Sequence, residues 1–243
     1  MAQRSPFLPL ALRLFHGTIA LSTLGAIATA LWTYDTYDGR WFRVHLPRWS
    51  EIEGIHGTFG LWALLLLPIF AIYCFSQGRS RLIQNGTVAQ LGDLATPRGW
   101  FALHRLVNTV ALLALTFAVF SGKMMDERWL PQGELDHGWY YAHLASWLVL
   151  VLAIAAHGLM AAKVGGGALL KTMWTWRGGD RGRLGAWGPA AMKIWRNNPG
   201  TVALRGLRDL WQRSPVVLRW VEGAIAIAWI GAWALSLAKE LGR

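Results

Sequence analysis

The sequence contains a single cysteine, Cys74, among its 243 residues. One cysteine excludes an internal disulfide framework, an iron–sulfur cluster held by cysteines and a Cys-x-x-Cys-His motif for covalent haem attachment. Charged residues are also scarce, at 15% of the chain, whereas they make up roughly a quarter of an ordinary soluble domain. Hydrophobic residues account for 54%, and 16 residues are Trp. This composition excludes a disordered chain and is unusual for a soluble one.

In place of charged residues, the sequence has several long apolar runs. A helix crosses the hydrocarbon core of a membrane with about 20 apolar residues. Five runs reach this length: Leu10–Trp32, Ile55–Phe75, Phe101–Phe120, Trp139–Ala162 and Val216–Ala238. Ser50 and Glu53 form a capping-box pattern before the second run, and Asp136 can cap the fourth. The sequence therefore predicts an all-α fold, a multi-pass transmembrane helical bundle.

Lys and Arg outnumber Asp and Glu by 24 to 13, which gives a net charge of +11. With the N-terminus in the cytoplasm, seventeen basic residues fall in cytoplasmic segments, eleven of them from Lys163 to Arg219. Eight of the acidic residues fall on the opposite side. This bias follows the positive-inside rule. It predicts a cytoplasmic N-terminus and membrane lipid as a partner, and it argues against a surface for nucleic acid.

A long basic connection separates the fourth and fifth runs. Within it, Ala168–Arg177 and Ala203–Arg213 mix Leu, Trp and basic residues at helical spacing, which is typical of helices lying on an anionic membrane surface. An ordered loop packed on a partner is the alternative. We divide the chain into a four-helix core (1–163), a basic cytoplasmic connection with interfacial helices (164–215) and a fifth transmembrane helix (216–243).

Five of the seven histidines fall within the predicted spans, where an ionisable side chain indicates a functional site. His143 and His157 are fourteen residues apart, so they lie on one face of a helix, about 21 Å apart along its axis. Counted from the predicted helix ends, His16 matches the depth of His157, and His56 matches that of His143. Two facing imidazoles are the axial ligands that a six-coordinate haem b requires. The spacing predicts two haems b, an inner one on His16 and His157 and an outer one on His56 and His143.

Membrane histidines can also serve in a metal site, a proton relay or helix packing. A single zinc or copper ion needs its ligands around one point, which the 21 Å offset along one helix (about four turns) forbids. A proton relay usually includes intramembrane Asp or Glu, and the centres of the five runs contain neither. A haem-free assembly or transport protein with structural histidines remains the third alternative.

Several short motifs carry a resemblance to a known family. They are Arg13-Leu14-Phe15-His16, His56, the His143/His157 spacing, His104-Arg105-Leu106-Val107-Asn108 and Ser121-Gly122. In these motifs the chain resembles the membrane di-haem cytochrome b superfamily. This superfamily includes bacterial cytochrome b561, the gamma subunit of formate dehydrogenases and the b-type cytochrome subunit of nickel–iron hydrogenases. The resemblance covers roughly Arg4 to Lys163, and the basic connection and fifth helix depart from the four-helix forms.

The resemblance implies a bacterial inner-membrane protein that carries electrons between a redox partner protein, such as a dehydrogenase subunit, and the membrane quinone pool. It favours an electron-transfer subunit over an independent oxidoreductase, for example one that takes electrons from superoxide. Relatives place the quinone beside the cytoplasmic haem, where this chain has His16, His104, Arg105 and Asn108. His104 could donate the hydrogen bond and the proton that quinone reduction needs. Alternatively, His104 is a packing residue, or Arg105 neutralises a haem propionate.

Overall fold

Helices make up most of the protein. A computed structural model describes residues 10–76, 78–125, 135–174, 208–209, 211–212 and 214–241. In chain order the helices are α1 (Leu10–Tyr37), α2 (Ile52–Ser76), α3 (Thr87–Gln90), α4 (Pro97–Met124), α5 (Gly138–Trp174) and α6 (Val216–Leu241). Short 3₁₀ turns at Arg79–Arg81 and Leu91–Asp93 flank α3. No strand occurs in the ranges just given, and the predicted all-α fold is confirmed.

Five helices are long and apolar enough to cross a membrane, namely α1, α2, α4, α5 and α6. Each coincides with one of the five apolar runs. Many of their large apolar side chains are at least half exposed, among them Leu21, Leu61, Leu152 and Ile227. An apolar surface of this extent is compatible with lipid and not with water. The multi-pass bundle predicted from the sequence is confirmed.

The helices extend beyond the apolar runs on which they were predicted. α1 continues five residues past Trp32 to Tyr37, and α4 begins at Pro97, four residues before Phe101. Pro97 occupies the first helical turn, where its missing N–H leaves no bond unmade. Helical hydrogen bonding therefore continues into the more polar residues that flank each apolar run, and the run by itself does not predict these helix ends.

The predicted capping box before α2 is wrong. The Ser50 hydroxyl donates to the carboxylate of Glu51 at 3.4 Å and makes no bond with the Glu53 backbone. The turn is closed by the backbone instead, because the Ile52 N–H donates to the Trp49 carbonyl at 3.3 Å.

Asp136 belongs to an ionic network that ties the α1–α2 loop to α5. The Arg40 guanidinium donates to the Asp136 carboxylate at 2.9 Å, and the Tyr141 hydroxyl donates to the same oxygen. The predicted cap on α5 is wrong, because the described backbone N–H groups at the start of α5 donate to His137 and not to Asp136. His137 takes the capping role, because its Nδ1 accepts a hydrogen bond from the Trp139 N–H at 3.3 Å.

The buried Asp35 shapes the α1–α2 loop. Its carboxylate accepts hydrogen bonds from the backbone N–H groups of Val44, His45 and Leu46 at 2.6, 3.2 and 2.7 Å. His45 has a φ of 61°, a left-handed conformation that is uncommon for residues other than glycine. The three bonds to one carboxylate hold the backbone in that conformation and fix the loop beside the start of α2.

α6 packs against α4 and α2. Pro68 lies inside α2 and has no N–H, so the carbonyl of Leu64, one turn earlier, has no partner within its own helix. The indole Nε1 of Trp229 in α6 donates to this carbonyl at 3.0 Å. An unsatisfied backbone carbonyl in hydrocarbon costs several kcal/mol. This single hydrogen bond therefore fixes the position of α6 against α2.

α5 is interrupted at Gly166, whose φ of 61° and ψ of −173° are accessible essentially to glycine alone. The helix then resumes to Trp174, so the predicted interfacial segment 168–177 is helical in its first seven residues. Of the second predicted segment, 203–213, residues 208–209 and 211–212 are described, and they are helical. The remainder of the basic connection lies outside the described residues.

Candidate functional site

Two histidine pairs lie at opposite ends of the bundle. At the end where α1 begins, which we call the N-terminal face, the rings of His16 and His157 are stacked with their centres 6.0 Å apart. At the opposite face, His56 of α2 and His143 of α5 meet edge to face, also with a centre separation of 6.0 Å. α5 supplies one member of each pair, about 21 Å apart along its axis. The structure thus brings together the same partners that the sequence predicts.

The separation within each pair suits two histidines on one metal ion. A bond between a metal and an imidazole nitrogen is about 2 Å long, which puts the ring centres of two imidazoles on opposite sides of the metal about 6 Å apart. A site in which three or more protein groups surround one ion is a different arrangement. Within the described ranges, no three His, Cys, Asp or Glu side chains converge to hold a metal. The geometry fits two separate bis-histidine sites.

A cavity of about 560 Å³ opens beside His56 and His143. Ligand pockets have volumes of roughly 300–1,000 Å³. On α2 the cavity is lined by Gly54, Gly57 and Gly60, and a methyl group added at any of the three would meet no atom within 4 Å. Its other walls are mostly apolar, with Ala63, Leu64, Leu115, Ala118, Val119 and Leu150 among them. The cavity has the shape and polarity for a flat, largely apolar group such as a porphyrin.

The ring of His56 is oriented by α1. Its Nδ1 lies 3.1 Å from the Ala26 carbonyl oxygen and 3.2 Å from the Thr29 hydroxyl. A carbonyl only accepts hydrogen bonds, so Nδ1 carries the proton and donates it. The lone pair of Nε2 then stays available for a metal, the arrangement usual in histidine ligands.

His143 is oriented in the same way by α4. Its Nδ1 lies 3.1 Å from the hydroxyl of Ser121, and that hydroxyl donates its own proton to the Phe117 carbonyl at 2.7 Å. Ser121 must therefore accept from His143 Nδ1–H, which leaves Nε2 of His143 unprotonated. Gly122 permits the close approach, since a methyl group there would lie 3.0 Å from Cε1 of His143. The role of Ser121 was missed from the sequence, although Ser121-Gly122 carried part of the family resemblance.

At the N-terminal face, Asn108 orients His157. The Asn108 amide nitrogen donates to the Arg81 carbonyl at 2.9 Å, which turns its oxygen towards His157. His157 Nδ1 lies 2.7 Å from that oxygen and donates to it. Both ends of the Asn108 amide are thus engaged, and Asn108 acts on the predicted cofactor site through His157.

His104 and Arg105 flank the same pair. The half-buried ring of His104 lies 6.3 Å from that of His157, centre to centre. Arg105 donates through Nε to the Ser80 carbonyl at 3.0 Å, so it braces the turn that follows α2. The charge of Arg81 lies close enough to act on both His16 and His104. Arg81 was not among the predicted site residues, although it lies at this face in the short 3₁₀ turn after α2.

A family model described as prokaryotic cytochrome b561 matches residues 8–176, well over half of the chain. The chain belongs to the prokaryotic cytochrome b561 family. The matched segment contains both histidine pairs and ends before α6. No curated protein matches the chain, and neither does any solved structure.

Membership in the cytochrome b561 family makes the protein a bacterial multi-pass membrane cytochrome of the b type, with a function in electron transfer. Family members bind haem b, and the described residues fit that group: paired imidazoles at both faces, three of them oriented with Nε2 free, and a mostly apolar cavity beside one pair. The resemblance expected from the motifs is confirmed, and the match extends past the predicted limit at Lys163.

Proposed function

We propose that this cytochrome b561 family protein carries electrons between a redox partner protein and the membrane quinone pool, through one haem b at each face. His16 and His157 hold the first, and His56 and His143 hold the second. The observation that carries the proposal is the pair of facing imidazoles, 6.0 Å apart, at each end of one bundle. A bis-histidine haem supplies one-electron oxidation and reduction without an open position for oxygen.

The protein's own part is to position four imidazoles before any cofactor is bound. α5 fixes the distance between the two sites, because His143 and His157 belong to one continuous stretch of helix before the break at Gly166. The Ala26 carbonyl, the Ser121 hydroxyl and the Asn108 amide set three of the four rings with Nε2 free. Such prior orientation reduces the entropy lost on binding and keeps the ligands in place in both oxidation states.

The quinone site belongs, in this proposal, at the N-terminal face beside His16 and His157. His104 lies next to this pair and is left over once four ligands are assigned. A neutral imidazole can donate a hydrogen bond to a quinone carbonyl and deliver a proton when the quinone is reduced. The positive charge of Arg81 close to His104 favours the reduced, more electron-rich oxygen.

The proposed location is the bacterial inner membrane, with the N-terminal face towards the cytoplasm. Seventeen Lys and Arg residues then lie inside, in agreement with the positive-inside rule. The three-part division at residues 163 and 215 belongs to the same proposal, since the basic connection would lie on the cytoplasmic surface. A reporter fused after Arg196 that is active in the periplasm would contradict this orientation.

Haem stoichiometry tests the central proposal. The wild-type protein purified in detergent is expected to hold two haems b per chain, with a reduced α-band in its spectrum. His56→Ala or His143→Ala should retain only the haem at the N-terminal face, and His16→Ala or His157→Ala only the other. His45→Asn is the matched control, because Asn tolerates the left-handed backbone of His45. Two haems at full occupancy in any of the four alanine variants would contradict the assignment.

The proposal includes a partner protein that donates or accepts electrons. Co-purification of the protein from native membranes, followed by identification of the attached subunits, is the measurement that distinguishes an electron-transfer subunit from an independent oxidoreductase. We expect a redox subunit to remain bound in mild detergent. A purified preparation that reduces quinone on its own, with superoxide as the electron donor, would favour the independent enzyme.

A further inference from the structure

Lys123 is a basic side chain beside the cavity next to His56 and His143. It lies in the last turn of α4, where the negative end of the helix dipole favours a cation. Among the described residues that line this cavity, Lys123 contributes the one Lys or Arg side chain. The cavity walls are otherwise mostly apolar. A positive charge therefore lies at one edge of a space suited to a flat apolar group.

Among the described residues, Lys123 has an aromatic partner but no anionic one. Its ammonium lies 6.0 Å from the ring centre of Trp233 in α6, a cation–π contact. No carboxylate in the described part of the chain comes within ion-pair distance of it. Trp233 in turn packs edge to face on Trp229, with ring centres 6.3 Å apart. Trp229 is fixed by its hydrogen bond to Leu64, so the position of Lys123 depends, through Trp233 and Trp229, on how α6 packs against α2.

A haem b needs such a cation at the edge of its pocket. Its ring is apolar, but its two propionate side chains are carboxylates, and an ionised carboxylate near hydrocarbon is costly without a positive partner. A lysine ammonium supplies that partner through a charge-assisted hydrogen bond. The described lining of the cavity offers one such group, beside the two histidines that face each other across 6.0 Å.

We propose that Lys123 binds a propionate of the haem at the His56–His143 site and that Trp233 of α6 positions it there. This inference rests on the proposed function, since it requires a haem at that site. It gives the fifth transmembrane helix, which lies outside the family match, an indirect part in the cofactor site, through Lys123. Trp233 is a positioning residue, because it acts on the haem through Lys123.

The charge of Lys123 should be measurable as a change in the midpoint potential of one haem. The oxidised haem carries one more positive charge than the reduced haem, so a nearby cation favours reduction. Lys123→Gln should shift that potential downwards and leave the other haem unchanged. Lys123→Arg should restore it. Glu53 lines the same cavity with the opposite charge, so Glu53→Gln serves as the matched control and should shift the potential upwards.

Haem release gives a second measurement. We expect Lys123→Gln to transfer haem to apomyoglobin about tenfold faster than the wild type, the loss expected for one charge-assisted hydrogen bond. Potentials and release rates equal to those of the wild type in Lys123→Gln would overturn the proposal. So would a lowered potential that Lys123→Arg fails to restore.

The role of Trp233 is tested by the contrast between two substitutions. Trp233→Phe keeps an aromatic face for the ammonium and should leave the potential near that of the wild type, whereas Trp233→Leu should lower it in the direction of Lys123→Gln. A role in packing alone would lower the thermal stability of Trp233→Leu with no change in potential, and that result would overturn the positioning role. All comparisons use preparations that hold two haems. A wild type without haem would contradict the proposed function itself.

Discussion

His157 and Asn108 meet through a 2.7 Å hydrogen bond that joins Nδ1 of the imidazole to the amide oxygen. The amide is held in turn by the Arg81 carbonyl, so the ring of His157 is set by a chain of contacts from α5 through α4 to the turn after α2. The orientation of this ring thus depends on three parts of the sequence that are far apart along the chain.

The first prediction concerns this bond. Asn108→Leu should weaken haem binding at the His16–His157 site by about 10- to 100-fold, because loss of a hydrogen-bond partner leaves a histidine ligand poorly oriented. Asn108→Asp keeps an acceptor for His157 and should retain the haem. Haem content and the reduced spectrum of the two purified variants measure the difference. Normal haem content in Asn108→Leu would show that His157 needs no such support.

The second prediction concerns the tight contact at Gly122. Gly122→Ala places a methyl group 3.0 Å from Cε1 of His143, which forces the ring to move. The haem at the His56–His143 site should then be lost or reduced in occupancy, while the other is retained. Gly231→Ala is the control, since its methyl group would lie 3.7 Å from Phe120, an ordinary contact distance. Equal haem content in the two variants would contradict the prediction.

The third prediction concerns His104. His104→Ala should leave both haems bound and slow electron exchange with quinone by about 10²-fold, the lower range for loss of a general acid or base. Stopped-flow reduction of the purified cytochrome by a quinol measures the rate. Loss of one haem in this variant would instead identify His104 as a ligand, and an unchanged rate would identify it as a packing residue.

The fourth prediction concerns acid stability. Hydrogen bonds from Tyr141 and Arg40 hold the pKa of Asp136 below its usual value of 3.8. The network therefore stabilises the fold fully above about pH 4, and this contribution is lost as the pH falls through the lower folded-state pKa. The effect should be small, because the Asp136 side chain is 85% exposed and solvent screens the charge. The midpoint temperature of thermal unfolding should change less between pH 7 and pH 3 in Asp136→Asn than in the wild type.

Much of the fold could be predicted from the sequence because lipid imposes simple rules. A run of about 20 apolar residues has few structural options in a membrane, so the sequence predicted all five spans. Counting residues from the predicted helix ends was then enough to pair His16 with His157 and His56 with His143 at equal depth. The helix ends were placed less well. Asp136 is a residue type typical of helix caps and precedes an apolar run. Its carboxylate instead binds Arg40, a loop residue distant in the sequence.

The residues that orient the ligands were harder to find. The Ala26 carbonyl belongs to the backbone and has no side-chain pattern to search for. Ser121 and Arg81 acquire their roles only when α4 and the turn after α2 come to lie beside α1 and α5. Lys123 and Trp233 are more than a hundred positions apart in the chain, and no local motif joins them. Such roles depend on tertiary contacts, which a single sequence does not display.

The bond between Trp229 and Leu64 also has a consequence for biosynthesis. The two residues are 165 positions apart, so α2 enters the membrane long before the ribosome has completed α6. During that interval Pro68 leaves the Leu64 carbonyl without its final partner, beside the very helix segment that lines the cavity. The wall of that cavity therefore reaches its final form only after α6 has entered the membrane, because the indole of Trp229 completes the hydrogen bonding of the Leu64 carbonyl.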